Sequence, residues 1–197
     1  MSSRDEILAR VRGNQPSSRP LPAVPTFDRA LPSLVDAFKG NLERMGGAFL
    51  EAAAGTDLDA LIRKTFPKAK VVCSATPEVA GNRALQSVKA PAELEDVDVG
   101  VVRGRFGVAE TGSVWLSQAE FKVNVLGFLS QHLVVLLDSR EIVPNLHHAY
   151  RQRGFFETNY CVLMTGPSAT ADIEGVLIHG AQGIRSLTVI AVPRPGV

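Results

Sequence analysis

The runs "KVVCSA", "VDVGVVRG", "HLVVLLD", "YCVLMTG" and "LTVIAV" are rich in Val, Ile and Leu and show little polar alternation. A strand with one wet face alternates apolar and polar residues, whereas a strand covered on both faces does not. These runs therefore point to a mostly parallel sheet with helices on both sides. Amphipathic stretches lie between them. From Phe27 to Met45, the residues Leu31, Leu34, Val35, Phe38 and Leu42 recur at spacings of three and four, and Gly46-Gly47 closes the pattern, which predicts a helix. Further helices are predicted at "DLDALIRKTF", at "NLHHAYRQR" and, as a short one, at "TADIEGVLIHG"; strands are predicted at "AFLEA" and "SVWLS". This order of elements predicts an open, Rossmann-like α/β fold. The runs "VDVGVVRG" and "SVWLS" are separated by Gly104, Gly107 and Gly112 with no room for a helix, so they are read as a hairpin or sheet-edge excursion.

The first residues stand apart from that pattern. Ser3 followed by Glu6 reads as a capping box for a short helix carrying Ile7, Leu8 and Val11 on one face. Between Gly13 and Pro25 the chain has prolines at 16, 20, 22 and 25, which exclude a helix interior and suit an extended linker. The expected organisation is an N-terminal helical arm and linker over residues 1–25, then one α/β domain over 26–197.

Charge and cysteine content exclude several classes. Lys plus Arg number 21 against 20 Asp plus Glu, so no global field draws the chain onto nucleic acid or an anionic membrane. No run approaches the length of a membrane span, and "MSSRDEILARVRGNQ" lacks the apolar core of a secretory signal, so a cytoplasmic protein is expected. Cys73 and Cys161 lie inside separate apolar runs and read as buried thiols. Two cysteines are too few for an iron-sulfur cluster, which takes about four thiolates. The histidines at 132, 147, 148 and 179 lack metal-pair spacing, and no Gly-x-Gly-x-x-Gly follows a first strand. Neither a metal nor a cofactor is assigned.

Two segments have residues suited to chemistry. In open α/β sheets ligands bind beyond the carboxyl ends of strands, and both segments are expected at that edge. In "GVAETGS", Glu110 sits in a glycine-flanked loop beside Thr111 and Gly112, where its carboxylate could serve as base or nucleophile or simply bond turn N–H groups. In "TGPSATADIEG", the strand is expected to deliver Thr165, Gly166, Pro167, Ser168 and Thr170 to a helix start near Ala171. A helix N-terminus with hydroxyls suits an anionic small molecule, while Asp172 and Glu174 are ordinary partners of a helix dipole. A capped helix and an anion site both remain open on these residues.

Together, "GVAETGSVWLS" and "TGPSATADIEGVLIHGAQG" resemble the signature segments of the lactate-utilisation protein C (LutC/YkgG) family, whose shared module is the LUD domain. The resemblance extends over most of the chain from about Phe27. It implies a fold like that of the NagB/RpiA/CoA transferase group. It also implies an accessory or regulatory role in bacterial L-lactate oxidation, beside iron-sulfur partner proteins and without a redox cofactor of its own. Carried over by the motifs, the site positions are Glu110, Thr111, Gly112, Gly166, Pro167, Ser168, Thr170, Asp172 and Glu174. This chain has Gln182-Gly183-Ile184 where relatives commonly read His-Gly-Pro, and Ser113 where Thr is usual. Two other readings of the same residues are an enzyme acting through Glu110 on a phosphorylated or acyl-CoA substrate, and a non-catalytic binding module.

Overall fold

The computed structural model describes residues 2–27, 33–170, 175–180 and 182–196. In chain order the first half contains α1 (Ser3–Gly13), α2 (Leu34–Arg44), β1 (Ala48–Glu51), α3 (Leu58–Thr65), β2 (Val72–Ser74), β3 (Val99–Arg103), β4 (Phe106–Val108) and β5 (Ser113–Ser117). The second half contains α4 (Gln118–Phe121), α5 (Leu126–Leu129), β6 (His132–Leu137), β7 (Ile142–Val143), α6 (Leu146–Ala149), β8 (Cys161–Met164), β9 (Ala169–Thr170), β10 (Ile178–His179) and β11 (Ser186–Ala191).

The apolar runs divide between two main sheets. Five strands pair in parallel in the order β1-β11-β6-β3-β2, the open α/β sheet that the runs predict. Successive side chains alternate faces and both faces are dry. Leu133, Val135 and Leu137 of β6 join Phe38 and Leu42 of α2 in one core, while Val134 and Leu136 join Leu58 and Ile62 of α3 in another. Each such fully buried side chain contributes about 1.5–3 kcal/mol.

The second sheet has the order β7-β4-β5-β8 and lies over the α2 side of the parallel sheet, with Val114, Leu116 and Ile142 in the same core as Phe38. Its outer face carries Phe106 and Trp115, packed with Ala149 of α6. The expected hairpin is thus made differently. β3 stays in the parallel sheet, and the partner of β5 is Phe106–Val108, paired antiparallel. Gly104 permits the departure, because a Cβ there would lie 2.5 Å from Val114 Cγ1.

"YCVLM" also changes place: β8 pairs antiparallel with β5, outside the parallel sheet. Other expectations shift locally. The first helix is capped by Ser2 with Asp5, one residue earlier than Ser3 with Glu6. The helix predicted from Phe27 is observed from Leu34; Phe27 has φ 52, which ends any helix there, and Leu31 lies outside the described residues. Helix "NLHHAYRQR" is a single turn at α6, because Arg151, Gln152 and Arg153 are exposed and offer no apolar face to bury.

The largest change is at "TADIEGVLIHG". Thr170 lies on β9, which pairs antiparallel with β10, and Gly175 and Gly180 have φ of +71° and +69°. None of the described residues here is helical, and Val176 and Leu177 are exposed, so these two do not supply the buried face that would hold a helix. Asp172 and Glu174 lie outside the described residues.

Candidate functional site

The β4–β5 turn is pressed against α2. Gly112 has φ +65°, and a Cβ on it would lie 2.2 Å from the Leu42 backbone nitrogen. Asn41 Nδ2 donates to the Ala109 carbonyl at 2.8 Å, fixing the turn from the helix side. Only a residue without Cβ lets the two backbones approach this closely. Glu110 faces the other way: it is exposed, and its Oε2 accepts the Leu146 N–H at 3.1 Å. Leu146 opens α6, so this carboxylate satisfies a backbone donor that the helix cannot.

The second motif docks beside the first. Because Val114 pairs with Met164, Ser113 and Thr165 come together, and their hydroxyls share a short hydrogen bond. Ser113 Oγ also donates to Thr111 Oγ1 at 2.7 Å. Gly166 has φ +65°, and a Cβ there would lie 2.2 Å from the Met45 carbonyl oxygen. Pro167 packs against Gly46. The Ser168 N–H donates to the Ile184 carbonyl at 2.9 Å, and its hydroxyl donates to the Gln182 carbonyl.

These contacts locate the motifs. Met45 and Gly46 immediately precede β1, and Ile184 precedes β11. Both loops therefore meet at the amino edge of the parallel sheet, opposite to the expected carboxyl edge. The reason is the placement of β8: an antiparallel partner of β5 in the second sheet ends where β5 begins. Thr170, on β9, is no helix cap, so the helix-terminus ground for an anion among Thr165–Thr170 is not met by the described residues. No group of three or more His, Cys, Asp or Glu is arranged to hold a metal among the described residues.

At the carboxyl edge the strands end in charges. Arg103 is 8% exposed; its Nε donates to Glu78 Oε1 at 2.8 Å and its Nη1 to the Val192 carbonyl at 3.0 Å. Arg194 binds Glu141 through Nε and Nη2 at 2.9 and 2.8 Å, and its backbone N–H donates to Asp138 Oδ2 at 2.8 Å. Arg140 grips Asp138 with Nε and Nη2 at 3.0 and 2.7 Å. The Arg140 guanidinium holds the Asp138 carboxyl well below the usual carboxylate range, against the opposing effect of burial and with help from the Arg194 N–H. Sequence reading missed this edge. Its signal was a charge directly after each apolar run, in "VVRGR", "LLDSRE" and "AVPRPG".

Residues 79–192, which contain both motif loops and this edge apart from Glu78 and Arg194, match the LUD domain family. The chain belongs to the LUD domain family. This LUD domain chain is 30% identical over 97 residues to the uncharacterized protein YkgG of Escherichia coli, covering 46% of this chain and 42% of that one. It is 26% identical over 141 residues to lactate utilization protein C of a Geobacillus species, covering 68% of this chain and 56% of that one. The chain thus spans about half the length of the curated relatives it matches. Its fold is similar to the crystal structure of a DUF162-family protein from Deinococcus radiodurans, with a TM-score of 0.64 at 17% identity, covering 81% of this chain and 96% of that one. The fold likeness thus reaches beyond the segment matched to the LUD family. Of the motif contacts, Asn41, Leu42, Met45 and Gly46 belong to the part before residue 79.

Proposed function

We propose that this LUD domain protein serves lactate utilisation as an accessory subunit with no redox centre of its own, acting beside iron-sulfur partner proteins. The observation that carries this reading is the similarity to lactate utilization protein C of Geobacillus, which extends over 68% of this chain. The distribution of thiols supports it. Cys73 lies on β2 at the edge of one sheet and Cys161 on β8 at the edge of the other, and no further cysteine exists in the chain. The motif geometry supports it too. Glu110 spends its carboxylate on the α6 N–H, and Thr111, Ser113 and Thr165 spend their hydroxyls on one another. In this reading the motif residues lock the second sheet to the amino edge, and residues 1–25 form an arm outside the α/β domain. α1 has no buried residue.

The test is growth and turnover together. Loss of the chain from its host is expected to abolish growth on L-lactate, and the purified chain alone is expected not to oxidise L-lactate. Turnover of L-lactate by the purified chain without an added flavin or cluster protein would overturn the reading, as would normal growth without it.

A further inference from the structure

A cleft of about 730 Å³ opens at the carboxyl edge, lined by Arg105, Arg140, Arg151, Arg153 and Arg194, with Phe106 on its wall. Arg105 follows β3, Arg140 follows β6 and Arg194 follows β11, so the cleft lies over the ends of three adjacent strands of the parallel sheet. That is where open α/β sheets place ligands, and it is the edge opposite to the motif loops.

The charges there are unequally matched. Arg194 is paired with Glu141 and Arg140 with Asp138, while Glu120, also on the wall, accepts the N–H and hydroxyl of Ser117. The guanidiniums of Arg105, Arg151 and Arg153 have neither an ion pair nor a hydrogen bond among the described residues. Glu120 keeps its charge and offsets one of these three, so the cleft has an excess of about two positive charges against +1 for the whole chain, and the positive field is local.

We infer that this cleft binds a diphosphate group. A guanidinium stays charged at any physiological pH and grips phosphate oxygens in pairs, which an ammonium cannot do. A diphosphate offers two linked phosphate groups, so it can meet the Arg105 guanidinium and those of Arg151 and Arg153 at the same time, which a single phosphate does less well. A monocarboxylate such as lactate supplies a single charge, and the cleft has the size that holds cofactor-sized ligands, roughly 300–1,000 Å³. Phe106, Val143 and Gly154 add an apolar wall beside the arginines, suited to the organic part of a nucleotide-sized diphosphate. The site is independent of the lactate-utilisation reading, since it uses none of the motif residues.

The test is calorimetric titration of the full chain with ADP and with inorganic pyrophosphate, in wild type and in Arg105→Ala, Arg151→Ala and Arg153→Ala. All three arginines are exposed, so the variants are expected to melt with the wild type. Saturable one-site binding is expected, weakened about tenfold or more by each substitution and weakened by salt. Tighter binding of ADP assigns the site to an organic diphosphate and equal binding to the inorganic ion; both uphold the diphosphate. Absence of saturable binding of either probe at millimolar concentration, affinity unchanged in all three variants, or tighter binding of a single-stranded oligonucleotide than of ADP would overturn it.

Discussion

The Ser113 hydroxyl meets the Thr165 hydroxyl across a separation of 52 residues in the chain. Ser113 is 5% exposed, and its register next to the Val114–Met164 pair sets it opposite Thr165. The two motif stretches are therefore one junction, in which a hydroxyl cluster of Thr111, Ser113 and Thr165 lies between two glycines pressed onto α2 and its C-terminal turn. Close packing and mutual hydrogen bonding hold this junction together.

Gly112→Ala and Gly166→Ala are each expected to destabilise the fold by about 2–5 kcal/mol in urea unfolding, from a left-handed backbone plus a clash with another backbone. Gly55→Ala is the control. Gly55 has φ +82° but nothing within 4 Å of its would-be Cβ, so only the conformational part, about 1–2 kcal/mol, is expected. Equal losses at all three positions would mean that the close approach to α2 and Met45 contributes nothing.

The hydroxyl contact can be measured by a double-mutant cycle. Thr165→Val and Ser113→Ala are each expected to cost about 1 kcal/mol, with a coupling of about 0.5–1.5 kcal/mol between them. Additive losses would show that the two hydroxyls are merely adjacent.

The parallel sheet was legible in the sequence because burial on both faces leaves an unbroken apolar run, as in "HLVVLLD" and "LTVIAV", and both runs sit in that sheet. "YCVLMTG" looks the same but belongs to the second sheet. A run reports how dry its faces are, not which strand it pairs with. That pairing decides which edge a loop reaches, so the two motif loops lie at the edge opposite to the one expected. At "TADIEGVLIHG" the reason is different: Thr170 pairs with Ile178, and among the described residues this cross-strand contact outcompetes a weak helical pattern. The carboxyl-edge arginines form no motif, because Arg105, Arg140 and Arg194 are brought together by the sheet order and Arg151 joins them from the turn after α6.

Glu110 separates a packing role from a chemical one. Glu110→Gln retains a side-chain oxygen for the Leu146 N–H and is expected to change stability by less than about 0.5 kcal/mol, whereas Glu110→Ala is expected to lose about 1 kcal/mol. In the host, Glu110→Gln is expected to support growth on L-lactate as the wild type does. A stable Glu110→Gln protein that fails to support growth would return Glu110 to catalysis.

Asp138 sets the acid limit of the carboxyl edge. Its carboxyl titrates lower when folded than when unfolded, chiefly through the Arg140 hydrogen bond. A depressed carboxyl contributes stability that is fully present above its unfolded value, about 3.9, and is lost as pH falls from there through the folded value. Urea midpoints measured from about pH 6 downward are expected to drop with acid below about pH 4, and to drop less steeply in Asp138→Asn. Parallel slopes in the two proteins would show that Asp138 is not among the titrating groups.

The expected boundary between arm and domain, at Thr26, can be tested by truncation. α1 has no buried residue and the linker residues after it are exposed, but Asn145 Nδ2 donates to the Thr26 carbonyl at 2.6 Å and Phe27 lies 5.2 Å from the His147 ring. Asn145 is 5% exposed, so removing its acceptor leaves a buried amide donor unsatisfied. Removal of residues 1–25 is expected to leave the urea midpoint unchanged, while removal of residues 1–27 is expected to cost about 1–3 kcal/mol. If the shorter truncation is already destabilised to that extent, the arm is part of the folded domain. If both truncations are as stable as the full chain, the Thr26 tether carries no weight and the domain begins later, at α2.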